Sequence, residues 1–244
     1  MPRVVSLVPS LTEAVAVSAP GLLVGVTDWC AHPPDLGDAV RIGGTKNPDV
    51  RRIVGLRPDL VIANEEENRA PDLAALRAAG VEVLVTEIRN LPQAVAELDR
   101  VLVGALGLVR PGWLAEAEAA WARVEPLGPL TAFVPVWRRP WMVLGRDTFA
   151  GDLLARLGVR NAYAGHRERY PRVSVEELAA TGCELVVLPD EPYRFTAEDG
   201  PEAFPGLPAA LVSGRHLTWY GPSLAEAPVV LARALRAARP GDGR

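Results

Sequence analysis

The chain has 244 residues, of which 49% are hydrophobic and 23% charged, with a formal net charge of −4. That length suffices for one large domain or two modest ones, each with its own core, and the mild negative charge excludes the basic footprint of a nucleic-acid binder. Two cysteines, Cys30 and Cys183, exclude a disulfide framework and a metal site built on several thiolates.

Basic residues are almost all arginine, Lys46 being the single lysine, and with abundant Ala, Pro and Gly this marks a genomic base-composition bias. No run reaches the ~20 apolar residues of a membrane-spanning helix. No basic stretch followed by an apolar one opens the chain either, so the sequence as written is expected to stay in the cytoplasm.

Residues 4–8 are an apolar run of strand length ended by Pro9, and Ser10-Leu11-Thr12-Glu13 reads as a capping box for a helix to Ala19. A second strand over 23–27 leads into the irregular loop Asp28-Trp29-Cys30-Ala31-His32-Pro33-Pro34. In Gly43-Gly44-Thr45-Lys46-Asn47-Pro48, Asn47 is expected to cap a helix and Pro48 to open it, where a missing N–H costs nothing. A strand over 60–63, a helix to Ala79, Gly80 as left-handed terminator and a strand over 81–86 follow. This repeated βαβ order predicts a parallel sheet with helices on its faces.

Residues 91–108 are helical by pattern, and Pro111 opens a helix to about Pro126, before a break at Gly128-Pro129. The second half starts with a strand over 131–137, interrupted by Arg138-Arg139-Pro140 and resumed over 141–144. A helix over 149–157 ended by Gly158, a helix-to-strand unit reaching Asp190, a long loop over 191–208, a final helix over 223–238 and a frayed tail over 240–244 complete the chain.

One pattern occurs twice. Residues 53–65 read IVGLRPDLVIANE and residues 178–190 read LAATGCELVVLPD. Each has a helical run, a turn, an acidic residue (Asp59, Glu184), an apolar strand and then acidic residues: Glu65, Glu66 and Glu67 in one copy, Asp190 and Glu191 in the other. The repeat predicts two similar α/β lobes whose strand-end loops surround a shared crevice, the place where open parallel sheets bind ligands. Opposed carboxylates there suit a cationic group, a hydrated metal or arginines of the other lobe; a solvated charge run is the plain alternative.

The segment Trp137-Arg138-Arg139-Pro140-Trp141 places two guanidinium forks between two indoles, suited to a phosphate or carboxylate. Arg146, Arg167, Arg169 and Arg172 make the neighbourhood basic, and the plain alternative is a solvated basic face. Lys46 on its glycine-rich loop is a further candidate anion contact. His32, His166 and His216 are too scattered for a local metal motif, and no nucleophile and base assemble in sequence, so no enzyme is expected.

The strings RVVSLVPSLTE (3–13), VGV (24–26), RIVGLRPDLVIA (52–63) and SVEEL (174–178), in this order, resemble the substrate-binding proteins of ABC importers for cobalamin and ferric siderophores, most of all the cobalamin-binding members. The resemblance implies two Rossmann-like lobes with parallel sheets joined by a single rigid linker helix, with the ligand groove between lobes. In this chain the lobes would span 1–108 and 129–244, with the linker over 109–128. It implies a non-enzymatic clamp, without resident cofactor, for a corrinoid, ferric-siderophore or haem-type metal chelate, working as a monomer with an ABC permease. Trp29, Tyr170, Trp219 and Tyr220 match aromatic positions of the family groove, and Glu176 matches the permease-docking glutamate of the second lobe.

The chain departs from the family in three places. It carries no export signal or lipidation cysteine, whereas family members work outside the cytoplasmic membrane. The first-lobe docking position falls near Ala70, with Asp72 the nearest substitute, and Asn64 stands where a cobalamin binder offers an aromatic. The rival expectations are a cytoplasmic metal-chelate sensor or carrier without a permease, and a chelatase-like tetrapyrrole enzyme in which His32 or His166 would converge with Glu65.

Overall fold

The structure, a computed structural model, describes residues 1–239, so the tail expected over 240–244 lies outside the described residues. The chain forms two compact units. Unit one comprises Met1–Ile88, Pro92–Ala115 and Tyr220–Pro222, and unit two comprises Arg89–Leu91, Glu116–Trp219 and the chain from Ser223 onward.

Unit one opens with β1 (Val4–Ser6), α1 (Pro9–Ser18), β2 (Leu23–Val26) and β3 (Val40–Arg41). A small hairpin of β4 (Gly43–Gly44) and β5 (Asn47–Pro48) follows, then α2 (Val50–Gly55), β6 (Leu60–Asn64), α3 (Ala70–Ala78) and β7 (Val83–Thr86). The five long-range strands form one parallel sheet in the order β3-β2-β1-β6-β7. All five residues of β6 are buried, which is why this strand reads as an unbroken apolar run rather than an alternation. Val5, Leu7, Ile42, Ile53, Val61, Ala63, Leu73 and Leu76 build the core between sheet and helices.

After β7 come α4 (Leu91–Asp99), a π-helical turn over Arg100–Ala105 and α5 (Gly112–Ala122). The boundary between the units falls inside α5, after Ala115.

Unit two contains β8 (Leu130–Phe133), an antiparallel hairpin of β9 (Pro135–Trp137) and β10 (Met142–Val143), α6 (Phe149–Arg156) and β11 (Val159–Asn161). It continues with α7 (Val175–Ala179), β12 (Leu185–Pro189), β13 (Ala209–Val212), α8 (Gly214–Thr218) and α9 (Ala227–Ala237). Its parallel sheet has the order β11-β8-β12-β13. The sequence repeat is therefore a repeat of topology. In each sheet the first strand (β1, β8) lies between the second long-range strand (β2, β11) and the strand of the repeated motif (β6, β12). Both sheets thus reverse direction beside that first strand, the position where carboxyl-end loops separate and leave room for a ligand.

Several local expectations are corrected. Pro9 takes the first helical position of α1, so the cap is Val8 with no side-chain bond, and Ser10 lies inside the helix with its hydroxyl buried. Asn47 and Pro48 stay extended because they pair with Gly44 and Gly43 across the β4–β5 hairpin. The cap of α2 is instead Asp49, whose carboxylate accepts the Arg52 N–H at 2.9 Å. The strands β3, β11 and β13 are too short to stand out from their flanking loops in sequence. The helix expected to reach Pro126 ends at Ala122.

Candidate functional site

The carboxyl end of the unit-one sheet is organised by two asparagines. Asn64, the last residue of β6, is 2% exposed. Its amide nitrogen donates to the Thr86 carbonyl and hydroxyl at 3.2 and 3.1 Å, and its Oδ1 accepts the Glu66 N–H at 2.9 Å. Both amide N–H groups are thus bonded to the end of β7, and Oδ1 shapes the acidic turn.

Asn68 ties three loops together. Its Oδ1 accepts the Asn64 N–H at 2.9 Å, and its Nδ2 donates to the carbonyls of Leu7 and Thr45 at 3.2 and 3.0 Å. The loop after β1, the β4–β5 hairpin and the loop after β6 are thus fastened at one buried amide. Lys46, on that hairpin, donates from Nζ to the Glu66 carbonyl at 2.5 Å. Sequence reasoning gave Asn68 no role, because a buried amide after three glutamates has no pattern of its own. Trp29 lies beside the same hairpin and is 68% exposed.

Glu67 is the electrostatic feature of this face. Its Oε1 accepts the Tyr220 phenol at 3.1 Å. Although part of the side chain stays open to solvent, the protein packed around the carboxyl pushes its pKa up to about 7. The Tyr220 hydrogen bond and Lys46 work against that rise, and the neighbouring Glu66 adds to it. Burial, then the Glu67 charge, also raises the Tyr220 phenol well above its usual value.

The corresponding loop of unit two is fixed by different chemistry. Asp190 accepts the Gly214 N–H at 2.6 Å, and Glu191 accepts the Trp219 indole N–H at 2.9 Å. A Cβ on Gly214 would lie 2.7 Å from the Glu191 nitrogen, so only glycine lets α8 start this close to the acidic loop. Trp219 and Tyr220 are 8% and 6% exposed. They act as buried hydrogen-bond donors to the acidic loops.

Arg138 is likewise committed internally. It pairs with Asp199, and with Glu202 at 2.5 Å, while its guanidinium stacks over Trp141 at 5.2 Å. Asp199 also accepts the Tyr193 phenol at 2.7 Å, and this bond, ahead of Arg138, holds its carboxyl below the usual range. The long loop after β12 is thereby locked against the β9–β10 hairpin. Aromatic contacts run from Trp137 through Tyr193 (5.7 Å) and Phe195 (4.7 Å) to Trp141 (5.9 Å) and Phe204 (5.2 Å).

What remains open on unit two is Trp137, 44% exposed, with Arg139 beside it in the hairpin turn. Tyr170 is half-buried under the Arg169 guanidinium, 6.0 Å from the ring centre. Arg146, Arg167 and Arg172 are exposed on the loops after β10 and β11. Glu65 is exposed and Glu66 half-buried in the acidic turn of unit one.

Glu176 is exposed in the first turn of α7, where the Ser174 hydroxyl accepts the Glu177 N–H at 3.1 Å. The backbone N–H and the Ser174 hydroxyl hold the Glu176 carboxyl below its usual range. Asp72, near the expected docking position of the first lobe, pairs with Arg69 at 3.6 Å. The His166 ring nitrogen accepts the Glu168 N–H at 3.0 Å within its own turn. Among the described residues no cluster of histidine, cysteine and carboxylate is arranged to hold a metal, and no helix is long and apolar enough to cross a membrane.

No protein-family profile matches the chain. A vitamin B12-binding protein of Salmonella paratyphi A is 26% identical over 192 residues, covering 77% of this chain and 72% of its own. The fold is similar to that of a periplasmic heme-binding protein from Pseudomonas aeruginosa, with a TM-score of 0.76 and 26% identity over 99% of this chain and 94% of that one. It is also similar to the periplasmic vitamin B12-binding protein BtuF of Vibrio cholerae, with a TM-score of 0.74 and 19% identity over 97% of both chains. These relatives are named for the vitamin B12 or heme that they bind. Over most of its length the chain is thus similar to vitamin B12- and heme-binding proteins, in line with the family its motifs resemble.

Proposed function

We propose that this protein binds a metal tetrapyrrole, a corrinoid or a haem, with open side chains of its strand-end loops. The observation that carries this reading is which side chains stay open there. Trp29 and Trp137 expose indole faces and Tyr170 a partly open ring, suited to a flat macrocycle. Arg139 and Arg146 are exposed guanidinium forks suited to propionate or phosphate oxygens. Lys46, although bonded to Glu66, keeps two further N–H donors for the same purpose. The likeness to vitamin B12- and heme-binding proteins supports the same ligand class. The chelate is cargo, so no resident cofactor is needed.

The protein works outside the cytoplasmic membrane, as a monomer, and delivers its cargo to an ABC permease that Glu176 contacts. Support comes from the periplasmic relatives and from the exposed position of Glu176 on α7. The test is quenching of the six tryptophans by cyanocobalamin, cobinamide, haemin and a ferric siderophore, in wild type and in the Trp29→Ala/Trp137→Ala variant. Saturable quenching by a corrinoid or haem, with affinity at least tenfold weaker in the double variant, is the expected outcome. Unchanged affinity in the double variant would remove the aromatic assignment.

A further inference from the structure

We propose that Glu67 is a titrating latch: its hydrogen bond to Tyr220 seats the stretch 220–222 on the acidic turn, and protonation of its carboxyl favours the seated form, so that ligand retention depends on pH. The ligand half of this proposal rests on the solute-binding reading above; the latch itself does not.

The geometry isolates one contact as the adjustable one. Asn64 and Asn68 hold the two ends of the acidic turn through neutral amides, which do not titrate in the working range of the protein. Between them, Glu67 reaches Tyr220, the first residue of the three-residue stretch 220–222 that packs with unit one while the chain on either side belongs to unit two. That stretch lies tight on the start of α1. A Cβ on Gly221 would fall 3.0 Å from the Ser10 carbonyl oxygen and 3.8 Å from a Glu13 carboxylate oxygen. Releasing Glu67 therefore loosens the stretch that carries Tyr220, while Asn64, Asn68 and Lys46 still hold the acidic turn.

The groups that face the Glu67 carboxyl come from three places: Tyr220 donates to it, Glu66 repels it from the same turn, and Lys46 attracts it from the β4–β5 hairpin. In the seated form the neutral acid keeps its carbonyl oxygen for the Tyr220 hydroxyl and has no quarrel with Glu66. The seated carboxylate keeps the same hydrogen bond but is short of water, and for that reason it titrates near 7, whereas a released carboxyl in water titrates near 4.5. The seated form binds the proton more tightly, so it loses ground to the released form as pH rises from 4.5 to 7 and levels off above.

The test needs no ligand for its first half. In protein labelled with carbon-13 at the glutamate carboxyls, one resonance should titrate near neutrality, vanish in Glu67→Gln and move in Tyr220→Phe. Amide exchange at Tyr220 and Gly221, corrected for intrinsic rates, should quicken between pH 5 and pH 7 in wild type and stay level in Glu67→Gln. If every glutamate titrates below about pH 5.5, or exchange is equally pH-dependent in both proteins, the latch is overturned.

The second half uses cyanocobalamin and haemin as probes. Affinity for whichever binds should fall at least threefold between pH 5 and pH 7 in wild type and stay level in Glu67→Gln; a level wild-type profile overturns the link to retention. Failure of both probes to bind, with the carboxyl still titrating near neutrality, counts against the solute-binding reading and leaves the latch standing.

Discussion

Asp59 and Glu184 do the same work in the two units. The Asp59 carboxylate accepts the Arg3 N–H at 2.6 Å, and the Glu184 carboxylate accepts the Thr131 N–H at 3.0 Å. Each acidic residue also donates its own N–H to the carbonyl of the residue it clamps, at 2.8 and 2.9 Å. A side-chain and a main-chain bond together fix the start of the repeated strand against the first strand of its sheet. The acidic residue before the strand, conspicuous in both copies of the motif, is thus a register clip. Asp59→Ala and Glu184→Ala should each cost about 1 kcal/mol, the worth of a partly exposed charge-assisted bond. The losses should add in the double variant, since the sites share no partner. Urea unfolding checks this; no loss in either variant would show that the backbone pairing alone sets the register.

Asn68→Ala should be far more damaging than its position in a loop suggests. It strips buried partners from Asn64 N–H and from the Leu7 and Thr45 carbonyls, and each buried group left unpaired costs about 1–3 kcal/mol. A loss of about 3 kcal/mol in unfolding free energy is expected, with wild-type secondary structure retained at low temperature by circular dichroism. A change below about 0.5 kcal/mol would mean that water replaces the amide.

The two adjacent arginines of the β9–β10 turn should separate cleanly. Arg138→Ala breaks contacts to Asp199, Glu202 and Trp141 and should lower the unfolding free energy by about 1 kcal/mol, since solvent screens the two partly exposed carboxylates it leaves behind. Arg139→Ala should leave the melting temperature within about 1 °C of wild type, as is usual for exposed side chains, and weaken binding of an anionic chelate about tenfold. The opposite pattern, stability lost at Arg139 and affinity at Arg138, would reverse the assignment.

Glu67 also imposes a sign on the stability–pH profile. Its folded-state pKa is raised from 4.5 to about 7, so its contribution is fully present below pH 4.5 and is lost as pH rises through 7. Allowing for partial solvent screening, wild type should lose about 2 kcal/mol between pH 5 and pH 7.5 relative to Glu67→Gln. Thermal or urea unfolding of both proteins across that range measures the difference. A Glu67→Gln profile parallel to wild type would refute it.

The architecture was legible in the sequence because the signals that carry it are long. The apolar runs of β6 and β12, and Gly80 and Gly158 just past their helices, can be read from one residue to the next. The short strands β3, β11 and β13 were not legible, since two to four residues in a loop carry no period. The site was legible only as an inventory. Residue types marked Trp219, Tyr220 and Arg138 as candidates and no more. Whether they are open or occupied depends on partners distant in sequence: Glu191 for Trp219, Glu67 for Tyr220, and Asp199 and Glu202 for Arg138. Trp29 and Trp137 stay open because nothing comparable covers them.

The most direct test of the central claim is calorimetric titration of the purified protein with cyanocobalamin and with haemin at pH 6. Saturable one-to-one binding of at least one of them is expected, at micromolar affinity or tighter, weakened about tenfold by Arg139→Ala without loss of folding. Absence of heat with both, from protein shown to be folded by circular dichroism, would contradict a tetrapyrrole-binding role.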